Sequence, residues 1–297
     1  MKKITFIINP ISGTGKKDQI PKLIDQILDP QKAKYEIIYT EYAGHAKEIS
    51  AKKATEGVDV VVAVGGDGTV NEVASSLVHT HTALGILPCG SGNGLARHLG
   101  VPLRQAEAIA LLQNGDEHII DYGKINKERL FFCSCGVGFD ALVSWKFAQA
   151  STRGLLTYCQ IAIKENFSYK AETYKLTADT GETLEDKAFV IAFGNAAQYG
   201  NDAFIAPHAS IQDGVLDVTL IKPISLYDTP ILSYQLFAGT IDKNKKTRTL
   251  KCREVTLERE KEGPMHYDGE PFMAPKDLTI EIIKGGLKVI THPKKKI

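Results

Sequence analysis

The sequence has no excess of either charge: Lys and Arg number 36, and Asp and Glu 35, among 297 residues. Nucleic-acid binders normally carry a basic surplus, so that class is set aside from the outset. No stretch approaches the roughly 18 consecutive apolar residues of a membrane-spanning helix. Low-complexity tracts and internal repeats are absent too, which leaves an ordinary folded chain long enough for two domains. Cysteine is sparse and odd in number, and Cys89, Cys133, Cys135, Cys159 and Cys252 lack metal-ligand spacing. The expectation is reduced core thiols in a cytosolic protein. The start, Met1-Lys2-Lys3 followed by an apolar run over 4–8, imitates a signal peptide. That run is too short and meets Asn9-Pro10, so it reads as a first β-strand.

What is present is a regular alternation over the first 120 residues. Strand patterns over 4–8, 35–39, 58–64 and 84–87 are separated by helical patterns over 18–28, 45–55 and 69–78. Further helices follow over 93–99 and 105–112. Such alternation predicts an open, mostly parallel α/β sheet, whose ligands sit at the carboxyl ends of the strands. After about residue 121, strand patterns dominate over 130–135, 174–178, 189–193, 215–221, 247–252, 255–258 and 278–283. Helical stretches remain over 141–150, 155–166 and 227–238. A β-rich, sandwich-like second domain with a helical insertion is predicted. The insertion is apolar nearly all round, and helices packed on a core are the expected reading. The domain boundaries are placed at 1–121 and 122–297, with the last residues able to return to the first domain.

Three loops leave strand ends with phosphate-binding chemistry. The most informative is Gly65-Gly66-Asp67-Gly68-Thr69-Val70-Asn71-Glu72, which follows a buried-strand pattern and opens a helix. Its glycines let backbone amides approach an anion, and the helix N-terminus adds partial positive charge. Carboxylates at Asp67 and Glu72 within such a cradle point to Mg²⁺ and phosphoryl transfer. The other two loops are Asn9-Pro10-Ile11-Ser12-Gly13 and Pro88-Cys89-Gly90-Ser91-Gly92-Asn93-Gly94. Ordinary roles fit single residues: turn formation for Asn9 and Ser12, helix capping for Ser91 and Asn93, a surface charge for Arg97. Asp213-Gly214 and Asp268-Gly269 are hairpin-turn dipeptides in isolation, and His266 reads as a strand residue. The tail lysines 294–296 read as a solvated end.

The glycine-aspartate loop resembles the nucleotide motif of the diacylglycerol kinase and sphingosine kinase superfamily of lipid kinases, in its bacterial soluble branch. The likeness extends in order through Asn9-Pro10-Ile11-Ser12-Gly13, Pro88-Cys89-Gly90-Ser91-Gly92-Asn93, Gly136-Val137-Gly138-Phe139-Asp140, Asp213-Gly214-Val215-Leu216-Asp217 and Asp268-Gly269-Glu270. The resemblance implies an NAD kinase/diacylglycerol kinase-like α/β nucleotide-binding domain joined to a β-sandwich, with the active site in the cleft between them. It implies that ATP is held by Asn9, Pro10, Ile11, Ser12 and Gly13, by Thr40, by Gly66, Asp67, Gly68, Thr69, Val70, Asn71 and Glu72, and by Ser91. Mg²⁺ would be held by Asp213 and the main-chain oxygens of Ser210 and Val215. The proton acceptor falls on Glu270 by the bacterial analogy and on Asp67 by the sphingosine-kinase one. Asp140 takes the position that touches the lipid head group.

The expected activity is transfer of the ATP γ-phosphate to a hydroxyl of a membrane lipid, diacylglycerol or a sphingoid long-chain base, as in phospholipid biosynthesis. The protein would be cytoplasmic, in transient peripheral contact with the inner face of the membrane. No nucleic-acid partner is expected, and oligomeric state has no signature in the chain. An NAD-kinase-like phosphotransferase with a soluble acceptor shares the Asp67 loop, but Asn71-Glu72 and the later acidic motifs separate this chain from it. A non-catalytic nucleotide-binding protein would have no need of so many carboxylates near phosphate.

Overall fold

The computed structural model describes residues 1–12, 17–150, 152, 154–225 and 227–293. It divides into two units: Met1–Ile120 together with the chain from Gly285, and Asp121–Lys284. Gly13 of the first phosphate loop and the tail lysines 294–296 lie outside the described residues.

The first unit opens with β1 (Lys2–Ile8), α1 (Ile20–Ile27), β2 (Ala33–Tyr39) and α2 (His45–Thr55). It continues with β3 (Val60–Gly65), α3 (Asp67–Leu77), β4 (Ala83–Pro88), α4 (Gly94–His98) and α5 (Gln105–Asn114). The sheet order is β2-β1-β3-β4 and every pairing in it is parallel. Every residue of β3 and β4 is buried. That explains why their sequences are continuous apolar runs with no alternation: helices cover both faces of a central parallel strand.

The second unit contains β5 (Asp116–Ile125, begun in the first), β6 (Arg129–Phe131), β7 (Ser134–Gly138), α6 (Phe139–Ala148) and α7 (Leu155–Asn166). Then come β8 (Glu172–Ala178), β9 (Thr183–Ala188), β10 (Val190–Gly194), β11 (Leu216–Ile221) and α8 (Thr229–Phe237). Last are β12 (Thr247–Cys252), β13 (Glu254–Arg259), β14 (Gly263–Tyr267), β15 (Glu270–Ala274) and β16 (Asp277–Thr291). The chain returns to the first unit within β16, where Val289 pairs parallel with Leu84.

Two antiparallel sheets make the second unit a sandwich. One has the order β12-β11-β10-β7-β14-β15; the other runs from β16 through β13 and β8 to β9. Period-two alternation assigns the faces. Cys135, Val137, Ile191, Phe193, Val218 and Met265 point between the sheets, against Leu176, Val255, Leu257 and Ile280. Val190, Ala192 and Ile221 point outward and pack under Leu232 and Leu236 of α8 and Phe139 of α6.

Three expectations change. The strand pattern over 130–135 is broken into β6 and β7, because the Asp268 carboxylate takes the amide hydrogens of Phe132, Cys133 and Ser134. Those amides are diverted from any strand ladder. Helix α7 is less covered than its all-round apolar sequence implies: Leu156, Ile163 and Phe167 are exposed. Cys159, on the same helix, is exposed, whereas the other four cysteines are buried and all five are free. Burial pushes the thiols of Cys89 and Cys135 upward and that of Cys252 to about 12. Ellman's reagent is therefore expected to titrate one thiol rapidly in the native protein, with the other four reacting only on unfolding. A Cys159→Ser variant that still showed a fast thiol would contradict this arrangement.

Candidate active site

In the first unit the loops after β1, β3 and β4 lie at the carboxyl ends of neighbouring parallel strands. The second and third touch backbone to backbone. A Cβ added to Gly90 would stand 2.7 Å from the Gly66 Cα, so only glycine allows this approach. Asp67 fastens the contact: Oδ2 accepts the Asn93 amide at 2.9 Å and Oδ1 the Gly94 amide at 2.7 Å. The short helix α4 thus takes its N-terminal cap from a carboxylate that is remote in sequence. Asn93 does not cap α4 with its side chain. Its backbone is left-handed, with φ 52°, and its side chain closes its own loop, accepting the Gly90 amide and donating to the Gly90 carbonyl.

The first loop joins the same assembly. Asn9 Nδ2 donates to Thr69 Oγ1 at 3.2 Å, and Asn9 Oδ1 accepts the Ile11 amide at 3.2 Å. Thr69 and Asn71 are buried on the inner side of α3. Glu72 Oε1 accepts the Gly44 amide at 3.0 Å, which ties α3 to the start of α2. Thr40 is buried, and its amide donates to the Ile8 carbonyl beyond β2. Ile11 and Ser91 are exposed. Gly66, Asp67 and Gly68 are half-buried, as befits a loop that holds its shape yet remains open to a ligand. The Arg97 guanidinium donates through Nε to the Gly92 carbonyl and so braces its own loop.

Lys17 was not singled out by the sequence, where it sits in a basic pair after a glycine-rich stretch. It is buried, and its ammonium donates to the carbonyls of Asn9 and Ser12 and to Ser12 Oγ. Burial lowers its pKa, while the nearby Cys89 thiol acts in the opposite sense. A cation held here stiffens the first phosphate loop.

In the second unit Asp140 is buried near the start of α6. Its Oδ1 accepts the Ala141 amide, while Oδ2 accepts the Tyr199 hydroxyl at 2.7 Å and His266 Nε2 at 3.0 Å. With Nε2–H directed at Asp140, the other ring nitrogen, Nδ1, is buried without a hydrogen-bond partner. Burial and the adjacent Asp140 charge push the Tyr199 hydroxyl well upward, which fixes it as a donor. Gly136 lies beneath the pair: a Cβ there would meet Asp140 Oδ2 at 2.9 Å and His266 Nε2 at 3.0 Å. His266 is a strand residue, as its sequence pattern implied, and its ring nevertheless belongs to the Asp140 cluster. Neither Tyr199 nor that role of His266 had a sequence signal. A groove of about 250 Å³ opens beside the start of α6, between Leu142, Tyr169, Tyr174 and Pro264. Arg259 also lines it, but that guanidinium is committed to main-chain carbonyls, including those of Gly263 and Ala274.

Asp213 is exposed on the turn before β11, with Oδ1 accepting the Val215 amide at 3.0 Å. The turn is anchored by buried Asp121, whose Oδ2 accepts the Gly214 amide at 2.7 Å. Ser210 Oγ accepts the Gln212 amide. Among the described residues no three His, Cys, Asp or Glu side chains form a metal-binding group. The donors that the family resemblance implies, one carboxylate and two main-chain carbonyls, are all oxygen, the ligand type that suits Mg²⁺. Asp268 and Gly269 form the two-residue turn between β14 and β15, with φ 45° and 83°. Glu270, the first residue of β15, is exposed.

The protein is thus a two-unit α/β and β-sandwich protein with glycine-rich loops at the strand ends of its first unit and a buried carboxylate cluster in its second. Comparisons with known proteins give the family. The "Diacylglycerol kinase catalytic domain" family matches residues 3–125, and the "YegS C-terminal NAD kinase beta sandwich-like domain" family matches residues 133–291. The chain belongs to the YegS-like family of lipid kinases, within the diacylglycerol kinase and sphingosine kinase superfamily. It is 28% identical to a Mycobacterium tuberculosis protein named "Diacylglycerol kinase", over 97% of this chain and 94% of that one. It is 30% identical to a Yersinia enterocolitica protein named "Probable lipid kinase YegS-like", over 84% of each. A crystal structure of a diacylglycerol kinase from Bacillus anthracis superposes with a TM-score of 0.72 at 23% identity, covering 98% of this chain and 97% of that one. An Archaeoglobus fulgidus NAD kinase in complex with ATP shares the fold, with a TM-score of 0.53 at 12% identity over 98% of this chain and 94% of that one. Among the described residues no helix is long and apolar enough to cross a membrane.

Proposed function

We propose that this kinase uses ATP and Mg²⁺ to phosphorylate a hydroxyl of a membrane lipid, diacylglycerol or a sphingoid long-chain base. The observation that carries the reading is the Asp67 clasp. It holds two glycine loops with their backbones in contact, which fixes the spacing of their amides. Fixed spacing matters because phosphoryl transfer has a loose transition state, and positioning contributes more than covalent chemistry. Asn9, Pro10, Ile11, Ser12, Thr40, Ser91 and the run from Gly66 to Glu72 hold the nucleotide. Asp213 and the main-chain oxygens of Ser210 and Val215 would hold Mg²⁺, which when bound neutralises phosphate charge.

Asp140 binds the lipid head group through its carboxylate, oriented by Tyr199 and His266. Glu270 accepts the proton of the attacking hydroxyl as the new O–P bond forms and the bond to the ADP oxygen breaks. Asp67 suits that task less well, because both its oxygens already hold loop amides, those of Asn93 and Gly94. The protein works at the inner face of the membrane in transient peripheral contact. Purified protein with ATP, Mg²⁺ and a panel of diacylglycerol, sphinganine and related lipids tests the reading. Phosphate is expected on a lipid hydroxyl. Conversion of NAD to NADP, with every lipid untouched, would reject it.

A further inference from the structure

Helix α8, which covers part of the outer face of the six-stranded sheet, carries large apolar residues on its uncovered side as well. Helix α8 turns Leu232 and Leu236 inward, against Val190, Ala192, Ile221 and Ile241. Its opposite side leaves Ile231 54%, Tyr234 73% and Phe237 54% exposed, and Tyr227, one turn earlier, is 95% exposed. At 100° per residue Ile231, Tyr234 and Phe237 fall on one side of the helix and the two leucines on the other, while Tyr227 lies in the turn before it. Single exposed apolar residues are normal on a protein surface. Three large ones on one side of a short helix, with a fourth in the turn before it, are an interaction face.

The neighbouring chain is basic. Residues 243–248, Lys-Asn-Lys-Lys-Thr-Arg, hold four cations and no acid. They are fastened to α8 where Asn244 Nδ2 donates to Gln235 Oε1 at 2.6 Å and Lys246 Nζ reaches Asp228 Oδ2 at 2.7 Å. Lys246 neutralises Asp228, and Asp242 is engaged by His208. Lys243, Lys245 and Arg248 stay exposed on that segment. Tyrosine rings with a flanking lysine cluster match the head-group layer of an anionic bilayer, where amphipathic rings insert and cations meet lipid phosphates. The inward side of the same helix packs beside the lipid-binding candidate. Tyr199, which donates to Asp140, and Phe139, next to Asp140, pack in the same cluster as Leu232 and Leu236.

We infer that this side of α8, with Tyr227, Ile231, Tyr234 and Phe237 flanked by Lys243, Lys245 and Arg248, docks the protein on an anionic lipid bilayer. The inference rests on the reading of the protein as a kinase of membrane lipids, and it names the surface by which that substrate is approached. The test is sedimentation of the full chain with phosphatidylcholine vesicles, with and without phosphatidylglycerol. The wild type is expected to bind the anionic vesicles, and to release as salt rises.

A Tyr234→Ser, Phe237→Ser pair should weaken vesicle binding by about tenfold or more, and a Lys243→Glu, Lys245→Glu pair should remove the preference for phosphatidylglycerol. Because these side chains are exposed, thermal melting and turnover of a dispersed short-chain diacylglycerol should stay at wild-type values. Vesicle binding that is unchanged in both pairs would overturn the inference. So would a wild-type dimer that the aromatic pair dissociates, since a second copy would then cover the stripe. Stripe-dependent vesicle binding by a protein that phosphorylates no lipid would uphold the docking face and reject the lipid-kinase reading alone.

Discussion

Asp67→Ala is expected to abolish detectable turnover and to destabilise the first unit by roughly 3 kcal/mol, because two amide donors lose a charged acceptor together. For a unit of this size that corresponds to a fall of about 10 °C in melting temperature. The two effects have one origin. The carboxylate holds the Asn93 and Gly94 amides, and through them sets the spacing between the loops after β3 and β4. Once released, α4 loses its cap and the Gly66–Gly90 contact loses its restraint, so the amides no longer converge on a phosphate. Asp67→Asn should recover little, because its amide nitrogen would face one of the two N–H groups. Glu72→Ala provides the contrast: Glu72 accepts one amide, from Gly44, and its loss should cost about 1 kcal/mol. Thermal unfolding and calorimetric ATP binding measure both. An Asp67→Ala protein that melts with the wild type would remove the clasp from the account.

The sequence made the parallel sheet legible because β3 and β4 are buried along their whole length, and burial on both faces leaves an unbroken apolar run. The glycine loops were legible because a close backbone approach admits only glycine, as at Gly90, where a Cβ would stand 2.7 Å from the Gly66 Cα. What the chain could not reveal is which amide a carboxylate will meet. Asp67 looked like a ligand for an ion, yet both its oxygens reach amides at 93 and 94, on the far side of a strand and a helix. Asp268 looked like a turn residue, which it is, but it also interrupts the 130–135 run from more than a hundred positions away. His266 alternates correctly for a strand, and nothing in that alternation announces Asp140. Lys17 resembled any lysine in a basic pair until the surrounding carbonyls were in place. In α7 and α8 the difficulty is different. An apolar helix reads the same whether its outer side is covered or bare, because periodicity reports the composition of a face and not its neighbour.

The motif Asp268-Gly269-Glu270 should separate into two functions on mutation. Asp268 accepts the amides of Phe132, Cys133 and Ser134 and sits at φ 45°, a backbone region that asparagine tolerates and alanine resists. Asp268→Ala is therefore expected to cost about 3–5 kcal/mol in the second unit, with activity lost through unfolding. Asp268→Asn should recover part of that stability. Glu270 stands at the exposed start of β15, paired in register with Tyr267 across the turn. Glu270→Gln preserves size and strand position, so melting and ATP affinity should stay at wild-type values while kcat falls about 10²–10⁴-fold. A base that acts only as the hydroxyl attacks lowers kcat without raising KM for ATP, and a residue that merely shapes the hairpin would move melting first. If Glu270→Gln retained near-normal kcat, Glu270 would leave the mechanism and the proton would have to pass to another group, Asp67 being the first to test.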